Sequence, residues 1–343
     1  MFSFANDYSE GACPKVLRAL VETNDIQAAG YGVDEYCEAA ADLIKRTIGH
    51  DDVDVHFITG GTPCNVVAIS ALRAHEAVIC VESGHINVHE TGAVEATGHK
   101  IIAVKGKNGK ITADEIRTVM SEHTDEHKVK PKMVFVSDAT ELGTIYSKKE
   151  LTQISQVCKE YGLYLYLDGA RLGNALVATG NDLSFKDICD LTDIFYIGGT
   201  KNGAWIGEAM VVKNDELKPE FRYLIKQHCA MLAKGRLIGV QFLAMFEDKT
   251  YLDNARNADI MAQALKYIFA QFSIPMYIDS PTNQIFPILE NRILEKIKRN
   301  YIVTEWGPYD KDHTIVRFVC SWATRKENIQ DFYNDLVAYV NEN

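Results

Sequence analysis

Several things are scarce in this 343-residue chain, and each scarcity excludes something. Positive charge is in deficit: 36 Lys and Arg stand against 47 Asp and Glu, a net −11, which argues against a nucleic-acid partner, since phosphate binding wants clustered cations. No apolar run approaches the ~20 residues of a membrane span. The start, MFSFANDYSE, has no basic region followed by an apolar core, so no signal peptide is expected. No repeat is apparent. The eight cysteines (13, 37, 64, 80, 158, 189, 229, 320) form no CxxC pair, and most sit among apolar neighbours. They are expected to be small buried hydrophobes in a reducing cytoplasm. The ten histidines show no metal-ligand spacing, so no metal is expected. No G-x-G-x-x-G opens a helix, and Gly199, Gly203 and Gly207 do not fit that spacing.

What is present is an alternation of strand-like and helix-like segments over residues 50 to 215, which implies βαβ units and a mostly parallel sheet. Strands are predicted at Asp54–Thr59, Ala77–Val81, Ile101–Val104, Met133–Ser137, Leu163–Leu167, Ile194–Ile197 and Glu208–Val212. Helices are predicted at Val33–Ile48, Cys64–Ala74, Ala113–His127 and Lys148–Tyr161, the last stopped by Gly162. Helical patterns fill roughly 215 to 271. A boundary is expected near 250 to 272, beyond which strands (284–289, 314–320) mix with helices (290–300, 325–340). The N-terminal arm is expected to join this α+β piece, giving a large domain at 15–250 and a smaller one from 1–14 and 251–343.

Two stretches carry the chemistry. LYLYLDGARL runs apolar and then delivers Asp168 and Arg171; DIFYIGGTKNGA runs apolar and then delivers Thr200, Lys201 and Asn202. In an open parallel sheet both strand ends open on one crevice. A carboxylate, an arginine and a lysine gathered there suggest a pyridoxal phosphate site, the lysine forming the Schiff base and the aspartate pairing with the pyridinium nitrogen. A carboxylate about 4 Å from that nitrogen, at an effective dielectric near 20, is worth roughly 4 kcal/mol, enough to keep the ring protonated near neutrality. Arg171 is a neighbouring cation able to make Lys201 less basic. The plainer readings are a surface role for Lys201 and helix capping for Asp168.

Other candidates are weaker one by one. Gly60, Gly61 and Thr62 precede a helix, where backbone N–H groups could hold a phosphate or simply make a turn. Arg171 and Arg317 are planar forks suited to an amino-acid carboxylate, Arg317 lying inside the apolar IVRFVCSW, where an internal salt bridge is the alternative. His85 follows a strand, and a ring there can stack on a cofactor or serve as an ordinary loop residue.

NDYSEGA, GGTPCN, the His85–Glu90 segment, TELGTIY, LDGARL, GGTKNGA and RFVCSWAT, in this order, resemble the threonine aldolase and β-eliminating lyase family of fold-type-I pyridoxal phosphate enzymes. The resemblance spans essentially the whole chain. It implies an aspartate aminotransferase-like large domain with a seven-stranded, mostly parallel sheet, and homodimers or homotetramers with active sites at a subunit interface. It further implies Lys201 as the Schiff-base lysine, Asp168 at the pyridine nitrogen, Gly61 and Thr62 on the phosphate, His85 on the ring, and Arg171 and Arg317 on the substrate carboxylate. Asn6 stands where typical threonine aldolases place a serine, and its amide suits a carboxylate. Glu141 stands where many have a histidine close to the substrate hydroxyl.

The expected activity is cleavage of a β-hydroxy amino acid such as threonine or allo-threonine to glycine and an aldehyde. A base must take the β-hydroxyl proton, and Glu141, His89 or an ordered water would serve. The alternatives are β-elimination or transamination at the same site and, from another class, a non-catalytic α/β binding protein.

Overall fold

The apolar runs of the first two-thirds of the chain build one seven-stranded sheet in the computed structural model, which describes residues 1–341. A two-residue strand, β1 (Phe2–Ser3), opens the chain. The large sheet then uses β2 (Asp54–Ile58), β3 (Glu76–Val81), β4 (Lys100–Val104), β5 (Lys130–Ser137), β6 (Tyr164–Asp168), β7 (Ile194–Gly198) and β8 (Glu208–Val212), in the order β2-β8-β7-β6-β5-β3-β4. Pairings from β4 through β3, β5 and β6 to β7 are parallel, and β8 runs antiparallel to both its neighbours. The expectation of a mostly parallel α/β sheet holds.

A sheet covered by helices on both faces needs strands that are apolar throughout. Accordingly β3, β7 and β8 are buried at every position. One apolar cluster, including Ile44, Phe195, Ile197 and Phe242, fills one face. Another, including Val67, Tyr166, Tyr196 and Met210, fills the opposite face. The helix Lys148–Tyr161 has the predicted bounds because both ends are marked: Ser147 and Glu150 form a capping box, and Gly162 takes the left-handed conformation (φ 65°) that glycine tolerates best. The helix predicted at Cys64–Ala74 instead spans Gly61–Ser70. Its start falls before Pro63 because first-turn residues need no N–H partner within the helix, so proline sits there at no cost. The helix predicted over Ala113–His127 ends at Glu122.

The remaining strands are β9 (Gln284–Ile285), β10 (Ile288–Glu290), β11 (Tyr301–Ile302), β12 (Thr304–Pro308) and β13 (His313–Val319). β10, β13 and β12 form an antiparallel sheet, β9 pairs with β13, and β1 pairs in parallel with β11. Phe4, fully buried, packs among Phe318, Phe332 and Tyr301, so the N-terminal arm belongs to the core of the C-terminal piece. The helix Thr250–Gln271 serves both cores: Tyr251 reaches the first, and Met261, Leu265 and Phe269 the last. All eight cysteines are free, and all but Cys229 are buried. Among the described residues no helix is long and apolar enough to cross a membrane.

Candidate active site

The carboxyl ends of β3, β5, β6 and β7, together with the amino end of antiparallel β8, open on one crevice, as the topology requires. They deliver His85, Glu141, Asp168, Arg171, Lys201 and Glu208 to the wall of a single cavity of about 880 Å³. Thr59 to Thr62 and Thr200 line it as well, and Tyr8, Trp306 and Arg317 close it from the arm and the C-terminal piece.

Asp168 is 4% exposed and held by three hydrogen bonds. Its Oδ1 accepts from the Tyr196 hydroxyl (2.5 Å) and the Ala170 N–H (3.0 Å), and its Oδ2 accepts from Asn65 Nδ2 (3.2 Å). Asn65 Nδ2 also donates to Glu90 Oε1 (2.6 Å), which in turn meets His85 Nδ1 at 2.7 Å. The carboxylate is thus aimed by side chains from two other elements, β7 and the helix Gly61–Ser70, and by a backbone N–H of its own segment.

Lys201 follows the Gly198–Gly199 break and has no carboxylate within ion-pair distance among the described residues. Burial, and then the Arg171 cation, lower its pKa; Asp7, Asp168 and Glu208 oppose them without reversing the direction. A less basic lysine is what Schiff-base chemistry needs. Beneath the loop lies Glu208, buried at the first position of β8 opposite Gly198, whose Oε2 accepts from the N–H groups of Gly199 (2.6 Å) and Thr200 (3.4 Å). Burial first, with those bonds opposing, pushes its carboxyl up to about 7.

Gly61 begins the helix Gly61–Ser70 at the cavity wall, and a Cβ there would stand 3.1 Å from the Tyr196 hydroxyl. A side chain would fill the cradle, so glycine leaves the helix N-terminus open to an anion. Thr62 lines the cavity beside it.

Of the two arginines, Arg171 is already engaged: Nε donates to Asp7 Oδ2 (2.7 Å) and Nη2 to Asp7 Oδ1 (3.1 Å). The fork expected to meet a substrate carboxylate is therefore spent on the arm, and only Nη1 is outside that pair. Arg317 lies on β13, donates from Nη2 to the Ala5 carbonyl (3.3 Å) and covers the Trp306 ring at 5.2 Å. Its buried Nε has no partner among the described residues. Asn6 is not in the cavity wall; its Oδ1 turns back on its own arm to accept from Tyr8 N–H (2.9 Å) and Ser9 Oγ (3.0 Å).

Glu141 accepts through Oε1 from the His85 N–H (2.9 Å) and Ser137 Oγ (2.8 Å), and its Oε2 is buried without a partner among the described residues. Burial raises its pKa, against the Ser137 bond. The His89 ring lies 5.5 Å from that of His85 and 6.0 Å from Trp306.

Asp7, Asn65, Glu90, Tyr196 and Glu208 are site residues that reading the sequence did not single out as candidates. Asp7 is 164 positions from Arg171 and Asn65 is 103 from Asp168. The one signal available was position, since Glu208 and Asp7 are charges set beside apolar strand segments.

A half-buried lysine without an ion-pair partner among the described residues, a clamped carboxylate on the same wall and an open helix N-terminus, set on this sheet, define a fold-type-I pyridoxal phosphate enzyme. The chain belongs to the β-eliminating lyase family, whose sequence pattern matches residues 4–288. It is similar to the low specificity L-threonine aldolase of a Pseudomonas species, 32% identical over 98% of this chain and 97% of that protein. The Pseudomonas aeruginosa low specificity L-threonine aldolase is also 32% identical, over 97% and 96%. Among solved structures, the Leishmania major threonine aldolase is 44% identical and superimposes with a TM-score of 0.98 over 99% of this chain and 100% of that one. The cofactor is pyridoxal phosphate, and the residues present fit it: an amine, a ring-nitrogen partner and a phosphate cradle share one cavity.

Proposed function

We propose that this protein cleaves a small β-hydroxy L-amino acid, of the threonine and allo-threonine kind, to glycine and an aldehyde by a retro-aldol reaction. The observation that carries the reading is Lys201 and Asp168 on one cavity wall, with Glu141 presenting an unpartnered oxygen in the same wall. The similarity to L-threonine aldolases over nearly the full length supports it.

In this reading the Lys201 amine would hold the cofactor, and Gly61, Thr62 and Thr200 would hold its phosphate end. Asp168, its carboxylate fixed by Tyr196 and Asn65, would hold the proton of the ring nitrogen, and His85 would contact the ring. Bound pyridoxal phosphate supplies the electron sink for the breaking Cα–Cβ bond. Arg317 and the free Nη1 of Arg171 bind the substrate carboxylate, so that the Cα–Cβ bond is the one presented for cleavage. Glu141 Oε2 takes the β-hydroxyl proton, leaving the aldehyde carbonyl; its raised pKa makes it a stronger base than an exposed glutamate. Tyr8, Trp306 and Arg317 come from the arm and C-terminal piece, and this supports treating 15–250 as the cofactor unit and 1–14 with 251–343 as the unit that closes on it.

We infer a homodimer or homotetramer with active sites at the subunit interface; exposed Tyr8 and Trp205, in segments flanking the cavity, support it. Eight free thiols support a cytoplasmic location. Purified protein supplied with pyridoxal phosphate and L-threonine, L-allo-threonine or a β-substituted amino acid tests the activity: glycine plus aldehyde is expected, and no glycine from any hydroxy amino acid would sink the reading. Lys201→Ala is expected to abolish both turnover and borohydride-fixed labelling by the cofactor.

A further inference from the structure

Glu90 is a carboxylate buried away from solvent, with no lysine or arginine paired to it among the described residues. Its bonds among the described residues run through Oε1, which meets His85 Nδ1 at 2.7 Å and accepts from Asn65 Nδ2 at 2.6 Å; Oε2 has no partner among them. Asn65 is itself fixed, because its Oδ1 accepts from the Tyr166 hydroxyl (2.6 Å). Both amide hydrogens are therefore turned to carboxylates, one to Glu90 and one to Asp168 Oδ2 (3.2 Å). His85, Glu90, Asn65 and Asp168 form one unbroken chain, its two ends His85 and Asp168 in the cavity wall and Glu90 and Asn65 behind it. Glu90 Oε1 already accepts from Asn65 Nδ2, and a carboxylate oxygen that accepts from His85 as well puts the proton on the ring nitrogen facing it.

We propose that Glu90 is a positioning residue: it holds the His85 proton on Nδ1, leaves Nε2 as the open acceptor, and shares Asn65 with Asp168 so that ring and carboxylate keep a fixed spacing. The proposal rests on the reading of His85 and Asp168 as cofactor contacts. It adds that the state of His85 is set by a residue lying behind it.

The test reads the tautomer directly. Long-range ¹H–¹⁵N correlation spectra of cofactor-loaded protein labelled with ¹⁵N-histidine, with His85 signals identified by their loss in His85→Gln, should show hydrogen on Nδ1 and none on Nε2. A proton on Nε2 in the unaltered protein overturns the proposal, and does so even if Glu90 variants fail to fold. In Glu90→Gln, whose amide can donate or accept, the Nδ1 preference should vanish. Its kcat should then fall about 10- to 100-fold, with the cost of losing the partner that orients a metal-bound imidazole taken as the guide. KM should stay close to its original value, and Glu90→Asp should restore part of both signals. A Glu90→Gln protein with unchanged tautomer and unchanged kcat also overturns it. Because the spectra need no substrate, absent aldol cleavage in the unaltered protein sinks the functional reading alone and leaves this measurement decisive.

Discussion

Asp7 and Arg171, 164 positions apart, meet in a two-bond pair at 2.7 and 3.1 Å, and Asn283 Nδ2 adds a third bond to the same Asp7 Oδ2 at 2.9 Å. The pair ties the N-terminal arm to the end of β6 and, through Asn283, to the C-terminal piece. Burial alone would raise the Asp7 pKa; Arg171, Lys201 and the hydrogen bonds outweigh it and bring it below 3.8.

Removing Asp7 should therefore be costly. Asp7→Ala strands a buried guanidinium, and a loss of about 3–5 kcal/mol in urea unfolding is expected. A carboxyl depressed in the folded state contributes its full stability above pH 3.8 and loses it as pH falls through the lower folded value. Acid unfolding should accordingly begin at higher pH in Asp7→Asn than in the parent; coincident acid curves would show that the pair carries no stability.

Glu141→Gln keeps the bonds from Ser137 and the His85 N–H through its amide oxygen but removes the proton acceptor. A kcat loss of about 10²- to 10⁴-fold with little change in KM is expected. Because the base must be ionised, kcat of the parent should climb with pH through a value above 4.5. That limb should be missing from the variant; a retained limb would assign the proton to another group.

Glu208 works on stability in the opposite sense to Asp7. Its folded pKa is lifted from 4.5 to about 7, so the folded state binds the proton more tightly than the unfolded chain. Its contribution is full below pH 4.5 and declines as pH rises through 7. Glu208→Gln, which can still accept from the Gly199 N–H, should flatten the fall of Tm across that window. An unchanged slope would mean that another carboxyl carries it.

Arg317→Lys keeps the charge and loses the planar fork over Trp306. Burial, then Arg171, bring the arginine down to about 10, still charged at neutrality. If it holds the substrate carboxylate, KM should rise by the equivalent of one charge-assisted hydrogen bond, about 1.5–3 kcal/mol, with kcat much less affected. Steady-state kinetics with the best hydroxy amino acid would decide.

Much of the frame was legible because it is local. The helix Lys148–Tyr161 follows from Ser147, Glu150 and Gly162, and β8 follows from an apolar run starting at Glu208. The two-residue strands β1 and β11 were not legible, since pairs so short carry no periodicity and exist only where the arm meets the C-terminal piece.

The site divides along the same line. Sequence order alone determined that Asp168 and Lys201 would stand on one crevice, because strand ends in a parallel sheet share an edge whatever surrounds them. Only tertiary structure decided what holds them: Tyr196 and Asn65 on Asp168, Glu90 behind His85, Glu208 beneath Lys201, and Asp7 on the fork of Arg171. A hydrogen bond within 3.5 Å between groups up to 164 positions apart leaves no trace in the periodicity of either segment, because each segment's pattern records which face is buried and not what it is buried against.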